Sequence, residues 1–217
     1  MAFGQPVNTI YRFDLAERIL SLDADFLTCG PGTVRYVRDF SKKRRVEQGK
    51  TTMNRLYVVE STPTLTGAKA DHRLALRPSE IEGFARAVAS ALSANTGGNN
   101  SSSYTQHGEW ISAVARDLQE NRGKSIVIAG DEQSPAVHAL AHAMNAALGN
   151  VGMTVVYTDP VEVSNTESDA KRTQIEGLSE LVADIDAGRV EMLIMLDGNP
   201  VYNTPADMTI QATSKRY

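Results

Sequence analysis

The chain has 217 residues, 41% hydrophobic and 22% charged, with a formal net charge of -4 and a pI near 5.6. This is the balance of a soluble globular protein, and a net negative chain carries no global field to recruit nucleic acid or anionic lipid. No apolar run approaches the roughly 20 residues that span a bilayer, MAFGQPVNTIYRF carries no export signal, and the single Cys29 excludes an internal disulfide, a cysteine-ligated iron–sulfur cluster or a four-cysteine zinc site made by this chain alone.

In chain order, the first buried strand is predicted at residues 18–22, RILSL, ending in Asp23-Ala24-Asp25. Cys29-Gly30-Pro31-Gly32 then leads into a helix predicted from about Thr33 to Glu47. Arg35, Arg38 and the run Lys42-Lys43-Arg44-Arg45 make one side of that helix basic. Without interleaved aromatics, that side suits solvent or an acidic partner better than nucleic acid. A second strand, residues 56–59, ends at Glu60-Ser61-Thr62. Pro78-Ser79-Glu80 opens a helix with Ser79 as N-cap and Ile81, Phe84, Ala85, Val88 and Leu92 on one face. A mobile surface loop around TGGNNSSS, residues 93–106, precedes a helix at about 109–120 with Trp110, Val114 and Leu118 aligned.

Residues 125–129, SIVIA, form the third strand and end at Gly130-Asp131-Glu132-Gln133. The next helix starts at Ser134-Pro135, carries Val137, Leu140, Ala141, Met144 and Leu148, and stops at Gly149. Residues 154–157 are a fourth strand, 161–173 a second mobile loop, 175–187 a helix ending at Gly188, and 192–196, MLIML, a fifth strand running into Asp197-Gly198-Asn199-Pro200.

Continuous apolar runs are what strands covered on both faces require, and alternation with helices of these lengths gives βαβ units. The fold class is therefore α/β, a doubly wound, mostly parallel sheet with helices on both faces. The same rhythm continues across both loops, so one domain spanning residues 1–217 is expected, without internal repeats.

Ligands of such sheets collect beyond the carboxyl ends of the strands, where this chain offers Asp23, Glu60, Gly130, Asp131, Asp197 and Asn199 as cleft candidates. Glu60, Asp131 and Asp197 are the best placed for hydroxyl or amine contacts. The competing reading is that strand ends are wet and Asp, Gly and Asn are good turn formers. Cys29 has no base assignable from sequence. His138 and His142, spaced for a metal but separated by Ala-Leu-Ala, fit packing at the edge of a buried face better than a zinc-protease helix. No acid, base or nucleophile emerges.

Residues 55–92, RLYVVESTPTLTGAKADHRLALRPSEIEGFARAVASAL, resemble the molybdopterin oxidoreductase family, in which a strand is followed by DPRRTETA, ADxHLxLRPGTD and an apolar helix. AERILSLDADF resembles the family's ADVILxxGSNP, HALAHAMNAALGNVG its LNxLLGNIG helix end, and EMLIMLDGNPVYNTPAD its strand running into GxNPxxxxPD, all in family order. The departures fall on cofactor-binding positions. Asp23-Ala24-Asp25-Phe26 replaces GSNP, Glu60-Ser61-Thr62-Pro63 replaces the arginine-bearing turn, and Ser79-Glu80 stands where the family has GTD. Carboxylates near a pyrophosphate repel it, and lost arginines remove bidentate phosphate contacts.

The wording is closest to the branch formed by the large iron–sulfur subunits of bacterial alternative complex III, which keep the domain without a molybdenum cofactor. The resemblance implies a non-catalytic scaffold from a quinol-oxidising respiratory complex on the periplasmic face of the inner membrane. Its partners would be the other subunits, with no nucleic acid and no direct membrane insertion. No cofactor is expected in this chain, the iron–sulfur clusters belonging to another part of a longer subunit of which this would be the central piece. The alternative is a molybdopterin- or nucleotide-binding oxidoreductase fragment that still uses the strand-end cleft.

Overall fold

Side chains of successive strand residues point to opposite faces of a sheet, so the continuous apolar runs supply two cores at once. In the computed structural model, which describes residues 7–45, 49, 52–95, 104–160 and 173–205, β2 (Arg18–Leu22), β3 (Arg55–Glu60), β4 (His72–Ala75) and β5 (Ser125–Ala129) form a parallel sheet in the order β4-β3-β2-β5. Leu20, Leu22, Tyr57, Val59 and Val127 face a core shared with α3 (Pro78–Ala91), α4 (Gly108–Glu120) and α5 (Pro135–Ala147). Ile19, Leu56, Val58, Ile126 and Ile128 face a second core closed by Phe13, Phe26 and Phe40, the last on α1 (Thr33–Lys43). The fold is doubly wound α/β, as the strand–helix rhythm predicts.

The strand order explains why both faces are covered. From β2 the chain steps to β3 and β4 through α1 and the short α2 (Leu65–Ala68), then returns across the other face through α3 and α4 to β5. Right-handed crossovers require opposite faces when the direction along the sheet reverses, and the reversal lies between β2 and β5. Several helices mark their own ends. Thr64 Oγ1 accepts from Gly67 N–H at 3.0 Å to start α2. Pro78 occupies the first turn of α3, whose N-cap is Arg77 rather than Ser79, and left-handed Gly149 (φ 67°) follows α5.

Three further sequence expectations are corrected. The run at 154–157 is a strand, β6 (Val155–Thr158), but it pairs antiparallel with β1 (Asn8–Tyr11) in a separate two-stranded ribbon. Its pattern is the reason: only Val155 is buried, so it covers the Phe13 core with one side instead of lying between two helical layers. The run at 192–196 is not a strand but irregular, exposed chain. A strand exists only where backbone groups find a partner ladder, and among the described residues none pairs with it. The basic helix ends at Lys43, short of the predicted Glu47, which lies outside the described residues. The loops at 93–106 and 161–173 also fall largely outside them.

Val7–Pro160 make one compact unit containing both sheets. The described residues 173–205 belong to a second, comprising α6 (Gln174–Asp186) and α7 (Pro200–Asn203) with the apolar run between them. Thr173 caps α6 reciprocally with Glu176, an N-terminal capping box. No helix among the described residues is long and apolar enough to cross a membrane.

Candidate functional site at the strand ends

The reversal point between β2 and β5 is where an open α/β sheet leaves a crevice. Here side chains of the chain itself bond to one another across the strand ends. Asp23 leaves β2 in the left-handed conformation (φ 58°), and its N–H donates to Val59 O at 2.7 Å. Its carboxylate accepts from Ser61 N–H at 3.0 Å, from Ser61 Oγ at 3.2 Å and from Gln133 Nε2 at 2.9 Å. One side chain thus ties together the ends of β2, β3 and β5. Gly130 sits directly beneath, its N–H bonded to Leu22 O at 2.9 Å. A Cβ there would overlap the Asp23 carbonyl, so only glycine lets the two backbones approach this closely.

Two further carboxylates are consumed in the same way. Asp25 Oδ1 accepts from Thr66 N–H at 3.1 Å and Thr66 Oγ1 at 2.6 Å, pinning α2 over the end of β2. Glu60, 1% exposed, pairs with Arg73 Nε of β4 and accepts from Thr64 Oγ1 at 2.6 Å. Gly67 packs directly on that carboxylate and leaves no room for a Cβ. A buried ion pair contributes little net stability once desolvation is counted, but removing one partner strands the other charge. The segment VVESTPTLTGAKADHRLALRP is therefore long because it builds α2 and the edge strand β4 and brings Arg73 back to Glu60.

The six sequence candidates separate accordingly. Asp23, Glu60 and Gly130 meet at the strand ends, fully engaged, while Asp131 follows Gly130 and is exposed. Asp197 (φ 51°) and Asn199 belong to the second unit, on exposed chain next to α7, and end no strand. Cys29 is exposed. His142 Nδ1 lies 2.9 Å from the Tyr157 hydroxyl, and burial, followed by the charge of His138, lowers its pKa. Among the described residues no three His, Cys, Asp or Glu side chains are grouped to hold a metal.

Three polar clusters escaped sequence reasoning. Asp117 of α4 collects Arg18, Arg55 and Tyr57 at the opposite end of the sheet. Asn145, Asn150 and Thr154 satisfy the outer edge of β5. Asp39 of α1 holds Arg35 and Arg38. The available signal was the same in each case: a short polar residue set within or beside the apolar stripe of an amphipathic helix must be hydrogen-bonded when buried.

The side-chain hydrogen bonds of Asp23, Asp25 and Glu60 run to neighbouring loops and to Arg73, so these carboxylates hold the strand ends together. The sequence matches no model of a known protein family and no curated protein.

Proposed function

We propose that the chain is a non-catalytic scaffold, the molybdopterin-like but cofactor-free portion of a subunit in a membrane-associated, quinol-oxidising respiratory complex. The observation that carries this reading is that the strand-end carboxylates are bonded to the chain's own side chains. Asp23, Asp25 and Glu60 accept hydrogen bonds from Ser61, Gln133, Thr66, Thr64 and Arg73. A dinucleotide entering there would meet carboxylates in place of phosphate-binding donors. The order of motifs along the chain supports the family, and their altered turns support loss of the cofactor. The partners are the other subunits of the complex, at the periplasmic face of the inner membrane, and the iron–sulfur clusters belong to a further part of the same subunit.

Two measurements test this. Titration of the full chain with GDP is expected to show no saturable binding, and micromolar binding would overturn the cofactor-free assignment. Gentle extraction from source membranes is expected to place the chain within a larger haem- and iron-containing assembly. A free species of 23.5 kDa would remove the respiratory assignment.

A further inference from the structure

We infer that the outward face of α1 is a docking surface for an acidic protein segment, with Arg35 and Arg38 as paired carboxylate receptors positioned by Asp39. This names a face and a partner chemistry for the scaffold, and rests on that reading only for the partner being a protein.

Asp39 is buried, 6% exposed, on a helix whose other face is basic. Its two carboxylate oxygens take one arginine each. Arg35 Nε lies 3.4 Å from Oδ2 and Arg38 Nε 3.2 Å from Oδ1. Both guanidiniums are therefore held at the nitrogen nearest their stems. Their terminal Nη pairs find no hydrogen-bond partner among the described residues. That leaves two forks one helical turn apart, of the geometry that grips carboxylates bidentately. One buried negative charge beneath two guanidiniums also leaves a positive excess at the surface.

The helix itself is fixed before any partner arrives. Phe40 packs against Phe26, and the Tyr36 hydroxyl accepts from Tyr11 N–H at 3.3 Å. Arg44 clamps Asp71 through two bonds of 2.9 and 2.6 Å. Little ordering entropy remains to oppose association. Beside the arginines, Val34 is 86% exposed and Val37 is also exposed. Those valines add apolar surface beside the forks, which an acidic amphipathic segment covers while its carboxylates meet the arginines. Two valines are too little apolar surface for bilayer insertion. The face has no aromatic for base stacking.

The test uses the full chain and a synthetic helical peptide carrying glutamates one turn apart with leucines between them, at about 0.15 M salt, where long-range attraction is screened. Arg35→Lys with Arg38→Lys keeps the charge but loses the forks, and is expected to weaken binding on the order of tenfold. Val34→Ser with Val37→Ser weakens it as well. Asp39→Asn makes the face more positive yet frees the arginines, and is expected to weaken binding too. Unspecific attraction predicts the opposite sign for Asp39→Asn, so tighter or unchanged binding by that variant overturns the inference. So does failure of the unaltered chain to bind the peptide, or tighter binding to phosphatidylglycerol vesicles or single-stranded DNA. GDP binding, which would sink the cofactor-free scaffold, is read separately and leaves these outcomes intact.

Discussion

Asp117 shows how much one buried carboxylate can organise. Its Oδ2 accepts from Arg18 Nε at 2.7 Å, Tyr57 OH at 2.7 Å and Arg55 Nη1 at 3.0 Å, so α4 is fastened to the starts of β2 and β3. Burial alone raises the Asp117 carboxyl. Hydrogen bonds from Tyr57 and Arg18, with the charges of Arg18 and Arg55, outweigh it and hold the group below the usual range. A carboxyl depressed in the folded state stabilises fully above its unfolded value, about 3.9, and loses that stabilisation as pH falls through the lower folded value. Acid unfolding below about pH 4 is expected to be shallower in Asp117→Asn, as followed by circular dichroism. Asp117→Ala strands the partly buried Arg18 and is expected to cost about 3 kcal/mol in urea unfolding, the low end for a broken buried pair because Arg18 is only partly buried and Arg55 is half exposed. A loss below about 1 kcal/mol, the scale of a surface pair, would show that the cluster is solvated.

At the scale of elements, the two edges of the parallel sheet are treated differently. β4 is short and carries His72 and Arg73, residues that discourage pairing with another chain. β5 is apolar, and side chains stand in for a neighbouring strand. Asn145 Oδ1 accepts from Val127 N–H at 3.0 Å and its Nδ2 donates to Val127 O at 2.7 Å. Ser125 N–H reaches Asn150 Oδ1 at 3.4 Å, and Ser125 O accepts from Thr154 Oγ1. The chain wraps this edge between α5 and β6, which is how β6 comes to lie on the opposite face. Asn145→Ala leaves a buried donor and acceptor unpaired, each worth about 1–3 kcal/mol. That variant is expected to unfold at lower urea and to self-associate through the bared β5 edge, measurable by sedimentation. Unchanged stability would mean that water replaces the amide.

At the scale of the whole molecule, five consecutive apolar residues, 192–196, stand exposed in the second unit, with Ile194 at 72% and Leu196 at 86%. An uncharged, proline-free window of this kind is a template for pairing with other chains. The full chain is expected to self-associate in proportion to concentration. Ile194→Lys is expected to suppress that association in light scattering while leaving the unfolding midpoint of the 7–160 unit in place. Equal scattering by both proteins would locate the association elsewhere.

The sequence by itself determined the strands at 18–22, 56–59 and 125–129, the second extended by one residue at each end in the structure, together with the helices that separate them and the doubly wound class, because those features follow from local periodicity and from apolar residues that must be buried on two faces. It also marked Asp23, Glu60 and Gly130 as strand-end residues. Only the tertiary structure decided what they do. The partners of Asp23 lie 38 and 110 residues away, and no local pattern says whether a carboxylate at a strand end faces a ligand or a neighbouring loop. The same holds for the runs at 154–157 and 192–196. Apolar composition shows that a segment needs cover, but which strand, helix or other chain supplies it is fixed by hydrogen-bond partners remote in sequence.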